Sequence, residues 1–419
     1  MRAEIISVGT ELLLGQIVDT NATFLAQVLA ELGIDLYFKT TVGDNWARIQ
    51  QVTKEALSRS DLLLFTGGLG PTEDDLTKEA VADLLGLELV REESVEAHIR
   101  ALFEQRRRPL VESVLKQALI PRGAKIIPNR WGTAPGLIIE HGEKILILLP
   151  GVPREMKGMV REGVIPYLHS RGFTGKEVIR SRILRIAGAG EALVEAKLAG
   201  LLSRANPTIA FLAHRGEVHV RITAKGNPEE VAAMLEAAEQ EVRGRLGELV
   251  FGIDEESLEE VVGRLLRGRR LTLGVVESCT GGLLSHRLTN VPGSSEYLLG
   301  AAVPYTKRAK IQLGRLKEAL LREAGEVSPE VSVAMAREAR ALLGSDLGLS
   351  VTGVAGPQRV GELPVGTVYI ALAAPEGEEV EEHRFGEEPG REGIKWLASQ
   401  AALNLLRLYL LRGLNGRRS

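Results

Sequence analysis

The sequence predicts an α/β protein in which two sheet-based domains flank a small α+β module. Three observations carry this. Through the first ~170 residues, short continuous apolar runs such as Glu4–Gly9, Asp61–Gly68 and Lys144–Gly151 alternate with stretches of helical periodicity, the pattern of a parallel sheet covered on both faces. The texture then shifts to hairpin-like alternation. From about residue 253 the α/β alternation resumes and runs to the end. The expected segments are therefore 1–172, 173–252 and 253–419.

Each element follows from its residues. EIISVG reads as a buried strand, and Asp19, Thr20 and Asn21 offer caps for the helix that carries Phe24, Leu25, Val28, Leu29 and Leu32 at helical spacing. Leu36–Gly43 is a second strand, and Asp61–Gly68 a third that ends in a glycine-rich loop. Thr77 to Leu85 is a helix, and Lys144–Gly151 a later buried strand. In the middle segment, RILRIAG is a strand, Glu191 to Leu202 a helix, TIAFLAH with EVHVRITAKG a hairpin, and Asn227–Pro228 the start of a helix to about Leu246. No GXXG loop of the kind that clamps nucleic acid is seen there, so the segment reads as a structural spacer or dimerisation element. Acidic Ile253–Glu260 forms a linker and helix start. The third segment then offers strands at Leu271–Ser278, YLLGAAVPY, LGLSVTGVAGP, VGTVYIALAAP and EEVEEHRF. An amphipathic helix, VSVAMAREARALLG, lies among them, and a long apolar helix from Ile394 to Leu411 closes the chain.

Composition narrows the function. With 419 residues, 44% hydrophobic and 26% charged, the chain can bury a core in each domain. Fifty-two basic against 55 acidic residues leave a net charge of −3, which gives no drive toward nucleic acid or membranes. The one dense basic cluster of the N-terminal half, Arg106 to Arg108, reads as a solvated helix end. A lone cysteine, Cys279, excludes an intramolecular disulfide and fits a reducing compartment. The N-terminus has no signal-peptide h-region, and no apolar run reaches the ~18 residues that span a bilayer, so a cytoplasmic address is expected.

Two constellations carry chemistry. The first is Thr66-Gly67-Gly68-Leu69-Gly70-Pro71-Thr72-Glu73-Asp74-Asp75, between a buried strand and a helix. Ligands of open parallel sheets bind at the carboxyl ends of strands, and Gly67, Gly68 and Gly70 let backbone N–H groups approach a phosphate. Other strands end at Gly9-Thr10-Glu11 and Gly43-Asp44, so Glu11, Asp44, Asp74 and Asp75 are expected to gather along one sheet edge. An all-carboxylate set suits a hard divalent cation bridging protein and phosphate. For Glu73 and Asp74, capping of the next helix explains the residues equally well. The loop matches neither the Walker nor the dinucleotide glycine pattern.

The second constellation is Glu277-Ser278-Cys279-Thr280-Gly281-Gly282, where a buried strand turns into a helix whose N–H groups are placed to stabilise an oxyanion. Ser278 ranks above Cys279 as nucleophile, because a structural buried cysteine is the commoner case. Thr280 reads as a cap or phosphate ligand, with Gly281 beside it. Lys310, if desolvated, can serve as base, and Tyr305 lies near it in sequence. Gly353 and Gly356 mark a further glycine-rich strand end, after Thr352. Arg391, after the Pro389-Gly390 turn, is placed to clamp a phosphate.

These segments resemble a known family. TGGLGPTEDDLT, Val42–Asp44 and Pro150–Met156 look like the loops of the molybdopterin-binding MogA/MoaB fold. The longer GTELLLGQIVDTNATFLAQVLAELGI is similar to the competence-damage-inducible CinA family. Glu73 and Asp74 stand where true molybdopterin enzymes often have basic residues, which counts against a molybdopterin substrate. ESCTGG, the Tyr305–Lys310 segment, the Thr352–Pro357 loop and Phe385–Arg391 resemble the C-terminal half of that family, the PncC-type nicotinamide-mononucleotide deamidases. Phe385–Arg391 is slightly longer than the family's usual form.

The resemblance covers nearly the whole chain. It implies a MogA/MoaB-like domain, a KH-like middle module and a deamidase domain. It implies hydrolysis of ADP-ribose in the first, dependent on magnesium, manganese or cobalt. It implies cofactor-free deamidation of nicotinamide mononucleotide in the last, with Ser278, Tyr305, Lys310 and Thr352 at active-site positions. A homodimer is the expected assembly, and direct nucleic-acid contact is not expected. Two other readings stay open: an N-terminal nucleotide- or pterin-binding regulatory module, and a competence or recombination accessory.

Overall fold

A computed structural model of the chain describes residues 1–412 apart from Thr174 and Lys176, so residues 413–419 of the third expected segment lie outside the described residues. The chain divides into two compact units. One comprises Met1–Arg180 with Lys225–Ala232; the other comprises Ser181–Ala224 and the chain from Ala233 onward.

The first unit is built on a six-stranded sheet in the order Asp35–Val42, Arg2–Val8, Leu62–Thr66, Lys144–Leu149, Gly136–His141, Lys125–Ile127. The first four strands are parallel. Arg2–Val8, Leu62–Thr66 and Lys144–Leu149 are buried on both faces, which explains their largely apolar runs, while Asp35–Val42 at the sheet edge is mostly exposed. Ile5, Leu62, Leu64 and Ile147 enter one core beside Leu25 and Leu29 of the helix Thr20–Glu31. Ile6, Leu63, Phe65 and Leu148 enter the other, beside Ala80 and Val81 of the helix Thr77–Leu84.

The sheet is not wholly parallel, as the sequence had implied. Gly136–His141 runs antiparallel to both neighbours. Only Gly142 and Glu143 separate His141 from Lys144, and a two-residue connection can join only antiparallel strands. Gly142, at φ +59°, supplies the left-handed backbone of that turn. The parallel strands all deliver their following loops to one edge: Gly9–Glu11, Gly43–Asp44, Gly67–Asp75 and Pro150–Pro153.

The second unit contains a five-stranded sheet in the order Leu298–Ala302, Leu273–Glu277, Leu347–Gly353, Thr367–Ala374, Gly377–Arg384. The first three strands are parallel and the last two antiparallel. Helix Pro329–Leu343 covers one face, where Val331, Met335 and Ala339 pack on Val276. The helices Leu258–Arg269 and Gly390–Arg412 cover the other. Gly348 lets the first helix come close, since a Cβ there would lie 2.0 Å from the carbonyl oxygen of Ala336.

The middle segment forms a four-stranded sheet, with the expected hairpin of Thr208–His214 and Glu217–Gly226 and the helix Pro228–Leu246. Within the second unit the hairpin is hydrogen-bonded to the closing helix. Trp396 Nε1 donates to the Arg215 carbonyl at 2.8 Å, and Gln400 Nε2 to Glu217 Oε1 at 2.8 Å. No helix among the described residues is long and apolar enough to cross a membrane.

Glu4 shows how the first sheet manages a buried charge. It is fully buried on its strand. Its carboxylate accepts from Thr40 Oγ1 at 2.8 Å, from Arg59 Nε at 2.9 Å and Nη2 at 2.6 Å, and from Ser60 Oγ at 3.3 Å. Burial pushes the carboxyl up, but the hydrogen bonds and the Arg59 charge outweigh it and hold the group below the ordinary glutamate range. A depressed pKa stabilises the fold above the unfolded-state value and loses that contribution as pH falls through the folded one. Glu4→Gln should therefore lower stability by about 1–3 kcal/mol at neutral pH. The gap to the parent chain should close as pH drops below ~4.3. Urea melts across pH 3–7 check this; a gap independent of pH would contradict it.

Candidate functional site

The four loops at the edge of the first sheet enclose a cavity of about 730 Å³. Glycine makes the enclosure possible. A Cβ on Gly67, at φ +104°, would stand 2.1 Å from the Val8 carbonyl oxygen, and one on Gly68, at φ +66°, 2.1 Å from Thr77 Oγ1. The turn thus lies flat against its neighbours and presents backbone to the cavity.

All seven residues expected here line this cavity: Gly67, Gly68, Gly70, Glu11, Asp44, Asp74 and Asp75. Asp44 accepts from Thr10 N at 2.8 Å and Thr10 Oγ1 at 2.9 Å. Asp75 accepts from Thr72 N at 2.9 Å and Thr72 Oγ1 at 2.5 Å. Asp44 thereby ties its loop to that of Thr10, and Asp75 closes its own turn onto Thr72; neither contact caps the helix Thr77–Leu84, whose N-terminus has no side-chain cap.

The structure adds Asp19, Asn21, Gln117 and Glu155 to the lining. Asp19 was legible only as a cap, and it does accept from Ala22 N at 2.8 Å, while Ser7 Oγ also donates to it at 2.6 Å. Gln117 carried no sequence signal at all. It arrives because Lys116 donates to the Asp75 carbonyl at 2.7 Å and pins the segment Glu112–Ala118 against the glycine turn.

The lining includes six carboxylates, those of Glu11, Asp19, Asp44, Asp74, Asp75 and Glu155, and no lysine or arginine. A phosphate entering such a cavity needs a counter-cation. The donors are all oxygen, which fits a hard divalent ion. No three His, Cys, Asp or Glu side chains among the described residues cluster closely enough to hold an ion by themselves. The arrangement therefore fits an ion held by one or two carboxylates and by the ligand's own phosphates, the usual habit of magnesium, rather than a dedicated protein cage.

In the second unit a smaller cavity, about 210 Å³, opens at the strand ends. Ser278, Tyr305, Lys310, Gly353, Gly356 and Arg391 line it together with Cys279 and Glu326. Lys310 is 2% exposed. Its Nζ donates to the Glu326 carbonyl and to Thr352 Oγ1, the latter at 3.1 Å. Thr352 thus reaches the site through Lys310. Burial lowers the lysine's pKa. Arg391 donates to the Tyr305 hydroxyl and the Gly356 carbonyl, which fixes its position despite the longer Phe385–Arg391 loop.

Two expectations change. Thr280 and Gly281 do not line the cavity. Thr280 is fully buried, and its hydroxyl has no partner among the described residues. The helix N-terminus is also not free for an oxyanion. The helix is the short Leu283–Thr289, and buried Glu277 accepts from its first amides, Leu284 N at 3.1 Å and Ser285 N at 3.0 Å. Ser278 and Lys310 share the cavity, and the lysine's hydrogen bonds go to Thr352 and Glu326. Cys279 is buried, and burial pushes its thiol up to about 12, so it is not a thiolate at neutral pH.

Comparison with known proteins matches each part of the chain. Residues 4–170 match the model described as probable molybdopterin binding domain, 181–252 that of the damage-inducible protein CinA KH domain, and 255–410 that of the CinA C-terminal domain. A competence-damage inducible protein of Moorella thermoacetica is 48% identical over 408 residues, covering 97% of this chain and 98% of the relative. One from Caldicellulosiruptor bescii is 50% identical over 414 residues, 98% of this chain and 100% of the relative. A CinA-like protein of Dictyoglomus turgidum is 46% identical, with 98% and 100% covered. A MoaB-like domain, a KH-like module and a second α/β domain thus follow one another along a single polypeptide, and the chain belongs to the CinA family.

Proposed function

We propose that the chain is a bifunctional hydrolase acting on two NAD-derived nucleotides, with a nicotinamide-mononucleotide deamidase in the C-terminal α/β domain and an ADP-ribose pyrophosphatase in the N-terminal one. The observation that carries the deamidase reading is the buried Lys310, held by Thr352 in a cavity that Ser278 also lines. At about 210 Å³ the cavity is smaller than the roughly 300–1,000 Å³ of sites for drug-sized ligands. It suits the nicotinamide ring alone, leaving the ribose phosphate at the rim with Arg391.

The chemistry is amide hydrolysis. Ser278 Oγ, or a water it positions, forms a bond to the carboxamide carbon. Its proton passes to Lys310, whose lowered pKa raises the neutral fraction able to accept it. The C–N bond breaks, the proton returns to the leaving nitrogen, and ammonia departs. In the covalent route, water then cleaves the Ser278 ester to nicotinate mononucleotide.

In the N-terminal cavity the reaction is attack of water on one phosphorus of ADP-ribose, cleaving the P–O–P bond to AMP and ribose 5-phosphate. When bound, the divalent ion neutralises phosphate charge. Asp44 and Asp75 are the residues to hold it, while the Gly67–Gly70 turn offers backbone to a phosphate. A single buried cysteine fits a cytoplasmic setting.

Ser278→Ala should cost on the order of 10⁴–10⁶ in ammonia release at saturating substrate, with little change in melting temperature. Cys279→Ala should stay active. A dead cysteine variant beside a live serine variant would make this a thiol amidase. The same assignment governs labelling: iodoacetamide at pH 8 should leave the native chain unmodified by mass and label it fully in urea, and prompt labelling of the native chain would contradict a buried, protonated thiol. Asp75→Asn should abolish most ADP-ribose cleavage and spare deamidation, and undiminished cleavage at unchanged metal demand would reduce Asp75 to a turn-former.

A further inference from the structure

The hairpin of the middle segment is gripped by two side chains of the helix Gly390–Arg412, and both of them also grip Arg287. Trp396 Nε1 donates to the Arg215 carbonyl at 2.8 Å, and the Arg287 guanidinium lies over the Trp396 ring, 4.3 Å from its centroid. Gln400 Nε2 donates to Glu217 Oε1 at 2.8 Å, while Gln400 Oε1 accepts from Arg287 Nη2 at 2.7 Å. An arginine only donates, so the Gln400 amide cannot be turned over. Glu217 belongs to the module's own sheet, where Arg185 Nε lies 3.2 Å and His219 Nε2 2.9 Å from its Oε2. Burial pushes its carboxyl up, but the His219 hydrogen bond and the Arg185 charge hold it below the ordinary glutamate range.

Arg287 is 3% exposed. Besides Gln400, its guanidinium is held by Glu259 Oε2 at 2.7 Å and Ser399 Oγ at 2.9 Å. A charge this deep is costly unless every partner is in place. Apolar packing already seats its helix, Leu283–Thr289, since Leu284 and Leu288 lie in the core. The charged network therefore adds a direction rather than an anchor. The helix has seven residues and spans only ~10 Å. Its other end is tied to Glu277, which accepts from the Leu284 and Ser285 amides and from Ser285 Oγ. Glu277 is followed by Ser278. A continuous series of contacts thus runs from the hairpin turn to the residue that opens the C-terminal cavity.

We propose that the hairpin turn Arg215–Glu217 positions Ser278, acting through Gln400, Trp396 and Arg287, so that the middle module sets the turnover of the C-terminal site. This rests on the deamidase reading given above.

The test is steady-state ammonia release from nicotinamide mononucleotide by the full chain, each variant being assayed below its own melting transition. Gln400→Glu turns a carboxylate toward Glu217 and breaks the link. Its kcat should fall about 3- to 30-fold, with KM unchanged because Tyr305 and Gly356 still hold Arg391. Adding Glu217→Gln restores a donor and acceptor in the reverse sense, and kcat should return to that of the parent chain. Trp396→Phe keeps a ring under Arg287 and removes only the donor to Arg215, so it should lower kcat as well; it decides the matter if Gln400→Glu does not fold. Parental turnover in either folded variant overturns the proposal. So does a loss that falls on KM, or one that Glu217→Gln fails to restore, since either marks a general structural role. If the parent chain itself releases no ammonia, the deamidase reading falls and takes this inference with it, an outcome distinct from an active parent matched by its variants.

Discussion

At the carboxyl edges of both sheets, backbone passes backbone more closely than any side chain permits. The Val8 carbonyl oxygen occupies the space a Cβ on Gly67 would need, while the Gly67 amide donates to the Leu149 carbonyl at 3.0 Å. Three strand ends are thereby locked around one turn. The second unit repeats the device: a Cβ on Gly353 would lie 2.7 Å from the Thr367 carbonyl oxygen, and one on Gly366 2.4 Å from that of Gly386. Because no side chain stands at these crossings, the space above them stays open, and in both units a cavity forms there.

What fills the two openings differs, and the difference is electrostatic. The first cavity is lined by six carboxylates. The second is smaller, with a buried lysine inside and an arginine anchored at its mouth. In the second unit Glu277 caps the short helix Leu283–Thr289 through the Leu284 and Ser285 amides.

Much of this was legible in the sequence, for reasons that can be named. Strands buried on both faces read as unbroken apolar runs, so Leu62–Thr66 and Lys144–Leu149 stood out, as did the hairpin that turns at Arg215–Gly216. Glycines and acids at strand ends are local signals, and the residues found that way share one cavity. The antiparallel part of the first sheet was hidden because periodicity does not encode strand direction; only the short link at Gly142–Glu143 does. Asn21 looked like a cap and Gln117 like nothing, since their places depend on contacts with Gly151 and Leu69, 130 and 48 residues away. Thr280 was misread because sequence shows that a hydroxyl lies next to a turn, not which way it faces.

Two independent hydrolytic sites on one chain, only one of them dependent on a cation, are what we propose. The direct measurement incubates the full chain separately with ADP-ribose and with nicotinamide mononucleotide, each with and without a chelator, and follows AMP and ammonia. Chelation should stop AMP formation and leave ammonia release unchanged. Ammonia release that falls with the chelator, or AMP formation that survives it, would rule out two sites of this kind.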